Sequence, residues 1–285
     1  MARGFTVKAR SNRSLSTEQK LNNFPSIHFI GIDDRLDRVS GFISMLKDFK
    51  ISKVIPHIFK KYRHGDCDVR FFSPHYDRGY PQGHFGCFTS HLKVLYEWYN
   101  NTDEPYIFVC EDDLSFETIE YWNFTWEEFF ERLPENWDII QLCLLRYSGT
   151  MFNFFQPNVH FRNRCWCDWS SAAYLISRKH VKNLLDTYYN GKTFIYEYRG
   201  YDKDMRHDEF AAPSVETIIC TNFSSETKVY TFPLFVEDRE RGYNSTHWEI
   251  DFRDYSRNEI LNWWQNTGKT MSLNKIFGYS NNEKI

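Results

Sequence analysis

A chain of 285 residues that is 41% hydrophobic and 19% aromatic has enough apolar mass for a full core, and its length suits one large domain. Lys and Arg number 35 against 38 Asp and Glu, a net charge of -3, so no global field draws it to nucleic acid or an anionic membrane, and any anionic ligand must be held by local chemistry. No apolar run approaches the roughly 18 to 20 residues of a transmembrane segment, and no signal-peptide core opens the chain; a soluble, cytoplasmic protein is expected, an endoplasmic reticulum or Golgi lumen fitting only a fragment of something longer.

Residues 1–23, rich in Arg, Ser, Asn and Lys, read as a disordered basic arm; the folded domain is expected over 24–255, with a C-terminal helix and tail over 256–285. The apolar run Ile27 to Ile32 is a buried strand, and the charged turn Asp33 to Arg38 leads into a helix with Val39, Phe42, Ile43, Leu46 and Phe49 on one face. Phe88, Leu92, Leu95 and Tyr99 mark a second helix, opened by Ser90 and His91, and the turn at Asn100 to Asp103 feeds the strand Tyr106 to Cys110. Thr125 and Glu128 have capping-box spacing for a short helix, which Pro134 closes before the strand Ile139 to Cys143. After an irregular aromatic stretch from Tyr147 to Trp169, Ala172 to Ile176 reads as a strand. Ser177 then caps a helix with Val181, Leu184, Leu185 and Tyr188 inward, ended by Gly191. Lys192 to Pro213 is expected as one long loop, and Ile260, Leu261, Trp263 and Trp264 as a last helix. Alternating strand and helix specifies an α/β fold with helices on both faces of a sheet.

The seven cysteines are odd in number and several lie in apolar strands, so free buried thiols are expected in place of a disulfide framework. Cys165 and Cys167 lack the second matched pair of a structural zinc site.

Glu111, Asp112 and Asp113 follow the strand Tyr106 to Cys110 directly. Ligands of open α/β sheets sit beyond the carboxyl ends of the strands. Three adjacent acids repel one another unless a cation neutralises them, and oxygen donors select Mg²⁺ or Mn²⁺. Such an ion bridges a diphosphate and absorbs the charge that develops as a nucleoside diphosphate departs, which is what a glycosyl donor requires. The plainer reading is a solvated turn, or acids placed at a helix dipole.

Four segments together resemble glycosyltransferase family 25, which includes lipooligosaccharide and procollagen galactosyltransferases. They are Ile30 to Arg38, an opening strand with an Asp-Arg turn; Gly83 to His91, similar to a Gly-Cys-x-x-Ser-His segment; Glu111-Asp112-Asp113; and Trp137 to Ile140, followed by Ala172 to Ser177. The order and spacing run over roughly residues 27 to 240. The resemblance implies the GT-A architecture, a Rossmann-like nucleotide-binding sheet joined to an acceptor-binding region. It implies that Asp113 binds the metal with Glu111 or Asp112, Glu111 alternatively orienting the ribose or a metal-bound water. Asp33, Arg35, Arg38, Ser90, His91, Glu111 and Asp112 then serve the donor, Arg35 or Arg38 pairing with the diphosphate, or each forming an ordinary ion pair with neighbouring acids. His91 is either beside the site or a buried hydrogen-bonded residue. Glu216 is the candidate base, its other reading being a first-turn acid on a helix dipole. Asp168 is the reserve candidate, and His247 is either a third metal ligand or a surface histidine. His84 stands where relatives carry Glu, and Glu216 where they carry Asp.

The expected function is inverting, Mn²⁺- or Mg²⁺-dependent transfer of galactose or glucose from a UDP-sugar to a hydroxyl of a collagen-like protein or a glycan. The alternatives are a glycosyltransferase-like carbohydrate-binding or adhesion module without turnover, and a metal-dependent phosphodiester hydrolase, for which no second His and Asp cluster is found.

Overall fold

The computed structural model describes residues 14–61, 68–71, 82–146, 161–165, 168–198, 215–220, 223–238 and 250–278. The stretch expected as a disordered arm is folded from residue 14 onward. Ser16 and Gln19 form a capping box on the short helix α1 (Thr17–Lys20), and the Lys20 ammonium donates to the carbonyls of Ile119 and Glu120 at 2.8 and 2.7 Å. Those two bonds tie the segment to the domain.

The main sheet contains β1 (Ile27–Ile32), β2 (Val54–Phe59), β4 (Tyr106–Glu111), β5 (Leu114–Ser115), β6 (Ile139–Cys143), β7 (Arg162–Asn163), β8 (Ala173–Ser177) and β10 (Val229–Glu237), in the order β2-β1-β4-β8-β6-β10-β5 with β7 beside β10. A separate pair, β3 (Asp68–Phe71) and β9 (Ile195–Tyr198), lies parallel, so the long loop expected from Lys192 contains a strand. β1 pairs parallel with β2 and β4, and β10 parallel with β6, while β8 runs antiparallel between β4 and β6. The five strands β1, β2, β4, β6 and β10 therefore end at one edge of the sheet, and β8 begins there. That single fact assembles the site.

Helices cover both faces, as an α/β pattern requires. On one side lie α2 (Leu36–Asp48), α4 (Trp126–Phe130) and α7 (Ile250–Asn266), burying Phe42, Trp126, Phe129, Ile260 and Trp264 against Phe29, Phe108 and Phe235. On the other lie α3 (Gln82–Asn101), α5 (Arg178–Tyr188) and α6 (Val215–Ile219), with Leu92, Leu95, Val181, Leu184 and Ile218 against Ile107, Val109 and Ile176. Successive residues of β4 thus feed opposite cores, each fully buried apolar side chain contributing about 1.5–3 kcal/mol. The Trp264 indole N–H is satisfied by the Pro233 carbonyl at 2.9 Å. A short helix α8 (Leu273–Ile276) closes the first core.

Local signals account for most of the helix ends. Thr125 and Glu128 form the expected capping box on α4. Ser177 ends β8 and then caps α5 by accepting from the His180 N–H. That helix stops at Tyr189, two residues before Gly191, whose φ of +89° belongs to the turn that follows. Gly31 on β1 admits α2: a Cβ there would stand 2.7 Å from Val39 Cγ2 and 3.1 Å from Ile58 Cδ1.

Candidate active site

At the common strand edge, Glu111 is the last residue of β4, Asp112 and Asp113 form the turn into β5, and the turn after β1 reaches them through Arg38. Arg38 Nη2 lies 2.5 Å from Asp112 Oδ1 and 3.2 Å from Asp113 Oδ2, with all three side chains nearly buried. Burial opposes the Arg38 charge, but Asp113, Asp112 and Glu111 outweigh it and raise its pKa further. The Asp238 N–H donates to the Asp113 carbonyl, so the end of β10 buttresses the same turn.

Glu111 is directed elsewhere. Its Oε1 accepts from Ser171 Oγ at 2.6 Å, faces His91 Nε2 at 3.3 Å, and receives Cys87 Sγ at 4.0 Å. Burial works against ionisation of Glu111, but the His91 and Ser171 hydrogen bonds and the Arg253 charge prevail and hold its carboxyl at about 2. His91 Nδ1 contacts the Tyr174 hydroxyl at 2.9 Å, fixing the ring from behind.

Among the described residues, the turn after β4 offers oxygen donors of the kind a divalent cation takes. Asp112 and Asp113 offer hard carboxylate oxygens, and the single nitrogen that touches both shows that one cation can serve the pair. Glu111 is not part of that arrangement. Among the described residues, the one group of three potential ligand atoms within 4.8 Å of one another is Cys87, His91 and Glu111. Burial, with Glu111, Glu216 and Asp113 adding to it, pushes the Cys87 pKa well up.

The segment 168–172 enters the edge ahead of β8 and gathers three carboxylates. Ser171 holds Glu111, the Ser170 N–H donates to Glu216 Oε1 at 2.9 Å, and Ser170 Oγ donates to Glu237 Oε1 at 3.0 Å. Glu216 is half-buried in the first turn of α6. Glu237, the last residue of β10, is also paired with Arg253 of α7 at 2.7 Å. Burial raises the Glu237 pKa to about 8; Arg253 opposes the shift, while Asp113 and Glu111 add to it.

Asp168 is fully buried, and both of its oxygens are taken: Oδ1 by Arg146 and Arg162 at 2.8 and 2.7 Å, Oδ2 by Arg162 at 2.8 Å and the Cys165 N–H at 2.6 Å. Its geometry is that of an anchor, not of the reserve base that the sequence reading made of it. Ser90 and His91 do not open a helix, because α3 begins at Gln82 and places them in its interior, where Ser90 Oγ donates back to the Gly86 carbonyl at 2.8 Å. Asp33 is exposed in the turn after β1, and Arg35 makes a solvent-facing pair with Asp37 at 3.3 Å. His247 lies outside the described residues, as does the side chain of His84.

Sequence reasoning assigned no role to Ser170, Ser171 or Arg253. Their signal is tertiary: Glu237 is 67 residues from Ser170, and no local pattern announces the pairing. Residues 66–198 match the family model of glycosyltransferase family 25 (LPS biosynthesis protein). Among curated proteins nothing matches the chain.

Proposed function

We propose, on the premise that this chain is a glycosyltransferase carrying a family 25 domain, that it moves a hexose, galactose or glucose, from a UDP-sugar to a hydroxyl acceptor with inversion. The observation that carries this reading is the meeting at one sheet edge of a carboxylate pair on one cation, Asp112 and Asp113 on Arg38, with a separate, half-buried carboxylate, Glu216. The two groups suit the two halves of a displacement: departure of a charged diphosphate and removal of the acceptor proton.

Asp112 and Asp113 would hold Mn²⁺ or Mg²⁺, which supplies a Lewis acid for the charge growing on the leaving diphosphate. Arg38 is the cation of the chain itself at that position, and its forked donors suit a diphosphate. Asp33, exposed on the same turn, would face the nucleotide. Glu111, kept ionised by His91 and Ser171, would orient donor hydroxyls in place of binding metal. His247 is retained as a third ligand in this reading. Glu216 accepts the acceptor's hydroxyl proton, the acceptor oxygen forms its bond to the anomeric carbon, and the bond to the diphosphate oxygen breaks with its electron pair leaving on UDP. Hydroxyls of a collagen-like protein or of a glycan fit the same step.

UDP release from UDP-galactose and UDP-glucose, with a hydroxylysine-containing collagen peptide or lactose as acceptor, tests this directly. Release is expected with Mn²⁺ present, and Asp113→Ala is expected to abolish it without unfolding the chain. Full activity after exhaustive chelation would remove the metal from the reading. Glu216→Gln is expected to lower kcat by about 10²–10⁴-fold, the usual contribution of a positioned base.

A further inference from the structure

Cys87 and His91 stand four residues apart in α3 and so share one face of the helix, the face turned to the end of β4. Glu111 meets them there with a single oxygen: Oε1 lies 3.3 Å from His91 Nε2 and 4.0 Å from Cys87 Sγ, and the three ligand atoms fall within 4.8 Å of one another. A nitrogen and an oxygen held at about 2.0–2.2 Å by one tetrahedral ion stand about 3.3–3.6 Å apart, and a sulfur and an oxygen about 3.6 Å apart. The imidazole and the carboxylate already have that spacing, and the thiol has about 0.4 Å to close, with one side-chain bond to turn on. His91 is buried, and its other nitrogen is held by the Tyr174 hydroxyl at 2.9 Å with the two rings stacked. A partner behind the ring is what a metal-binding histidine has. With the proton on Nδ1, donated to Tyr174, the Nε2 lone pair faces Glu111 Oε1, and two electron-rich atoms at that spacing leave a cation's place between them. Cys87 and Glu111 are only partly buried, which gives an ion a way in.

We propose that Cys87, His91 and Glu111 form a site for a divalent cation of the zinc class, separate from the oxygen donors of Asp112 and Asp113. Ligand type divides the two. Thiolate and imidazole favour borderline metals such as Zn²⁺, whereas carboxylate oxygens alone suit Mg²⁺ and Mn²⁺. Binding deprotonates the thiol: the S–H proton goes to solvent and the sulfur lone pair to the ion, with no change of oxidation state. Three protein ligands leave a fourth position for water or a ligand oxygen, and Ser171 Oγ, 2.6 Å from Glu111 Oε1, steadies the carboxylate from outside the set. The ion ties α3 to the end of β4. Glu111 then serves the ion, so occupancy sets aside the donor role given to it above; the site itself depends on neither donor nor turnover.

The test is Co²⁺ binding by the full chain, reduced with a phosphine, stripped by chelation and followed by absorption. Co²⁺ substitutes for Zn²⁺ in such sites and reports a thiolate ligand by a charge-transfer band in the near ultraviolet. The band is expected to appear in wild type and to be displaced by Zn²⁺. It is expected to vanish in Cys87→Ser and to survive both in Asp113→Ala and in the double variant Cys165→Ser, Cys167→Ser. Absence of the band from wild type overturns the inference, as does a band that Zn²⁺ does not displace or that persists in Cys87→Ser. A band lost in Asp113→Ala or in the double variant places the metal elsewhere and does the same. Circular dichroism shows whether Cys87→Ser is folded; if it is not, Glu111→Gln decides in its place. Its Co²⁺ affinity is expected to fall by at least the ~10-fold that loss of an outer partner costs, and an unchanged affinity overturns the inference.

Discussion

Two groups of acids share the carboxyl edge of the sheet and are made tolerable by different means. Asp112 and Asp113 are nearly buried, and the Arg38 guanidinium touches both. Glu111 and Glu216 are held by hydrogen bonds, from Ser171, His91 and the Ser170 N–H, and Glu237 by the Arg253 charge with the Ser170 hydroxyl beside it. A charge can be exchanged for another charge, whereas a set of short hydrogen bonds holds a fixed geometry. On the proposed reading the first group exchanges its counter-ion and the second orients, the division of labour that a metal-assisted transfer needs.

The contrast is broken most severely at Arg38. Arg38→Met removes the guanidinium that touches both nearly buried carboxylates and is expected to cost about 3–5 kcal/mol in urea unfolding, the usual penalty for breaking a buried pair. Added Mn²⁺ should restore part of that loss, and should do nothing comparable for a Glu237 variant. The next effect concerns Glu237. Its folded pKa of about 8 lies above the ordinary 4.5, so its contribution is full below 4.5 and is lost as the pH rises through 8. Unfolding free energies measured from pH 5 to 9 should therefore fall with a steeper slope in wild type than in Glu237→Gln. Glu111 gives the opposite sign. Its carboxyl is held at about 2, so its contribution is present above 4.5 and is lost as the pH falls through 2. Acid unfolding of Glu111→Gln should lack that component. The smallest effect is expected at Arg35, whose pair with Asp37 faces solvent. Arg35→Ala should change stability by less than about 0.5 kcal/mol in the same urea experiment.

The strands that build the middle of the sheet could be read from the sequence because they are continuous apolar runs, Ile27 to Ile32, Tyr106 to Cys110 and Ile139 to Cys143. β2 could not: it is an edge strand that carries Pro56 and His57 and alternates between exposed and half-buried, so it lacks the density of a core strand. β10 was hidden by Pro233, which the chain accommodates with a register shift between Thr231 and Phe235. β3 and β9 are four residues each and, among the described residues, pair with each other alone, too short for any period to show. In the site, the acid triplet was visible because its position after an apolar strand is a local pattern. That Glu111 turns away from Asp112 and Asp113 was not, because the reason lies in His91 and Ser171. Asp168 looked available among aromatics, yet Arg162, six residues before it, and Arg146, 22 residues before it, close on its carboxylate.

Gly31 gives the acid edge a mechanical dependence. Val39 sits directly after Arg38, and its methyl occupies the volume that a side chain at position 31 would fill, with Asp112 Oδ2 only 3.6 Å from the same point. Guanidinium, helix and carboxylate are thus gauged from a bare patch of strand backbone. One extra carbon on that floor would lift α2 and part the salt bridge from beneath, without touching any atom that takes part in it.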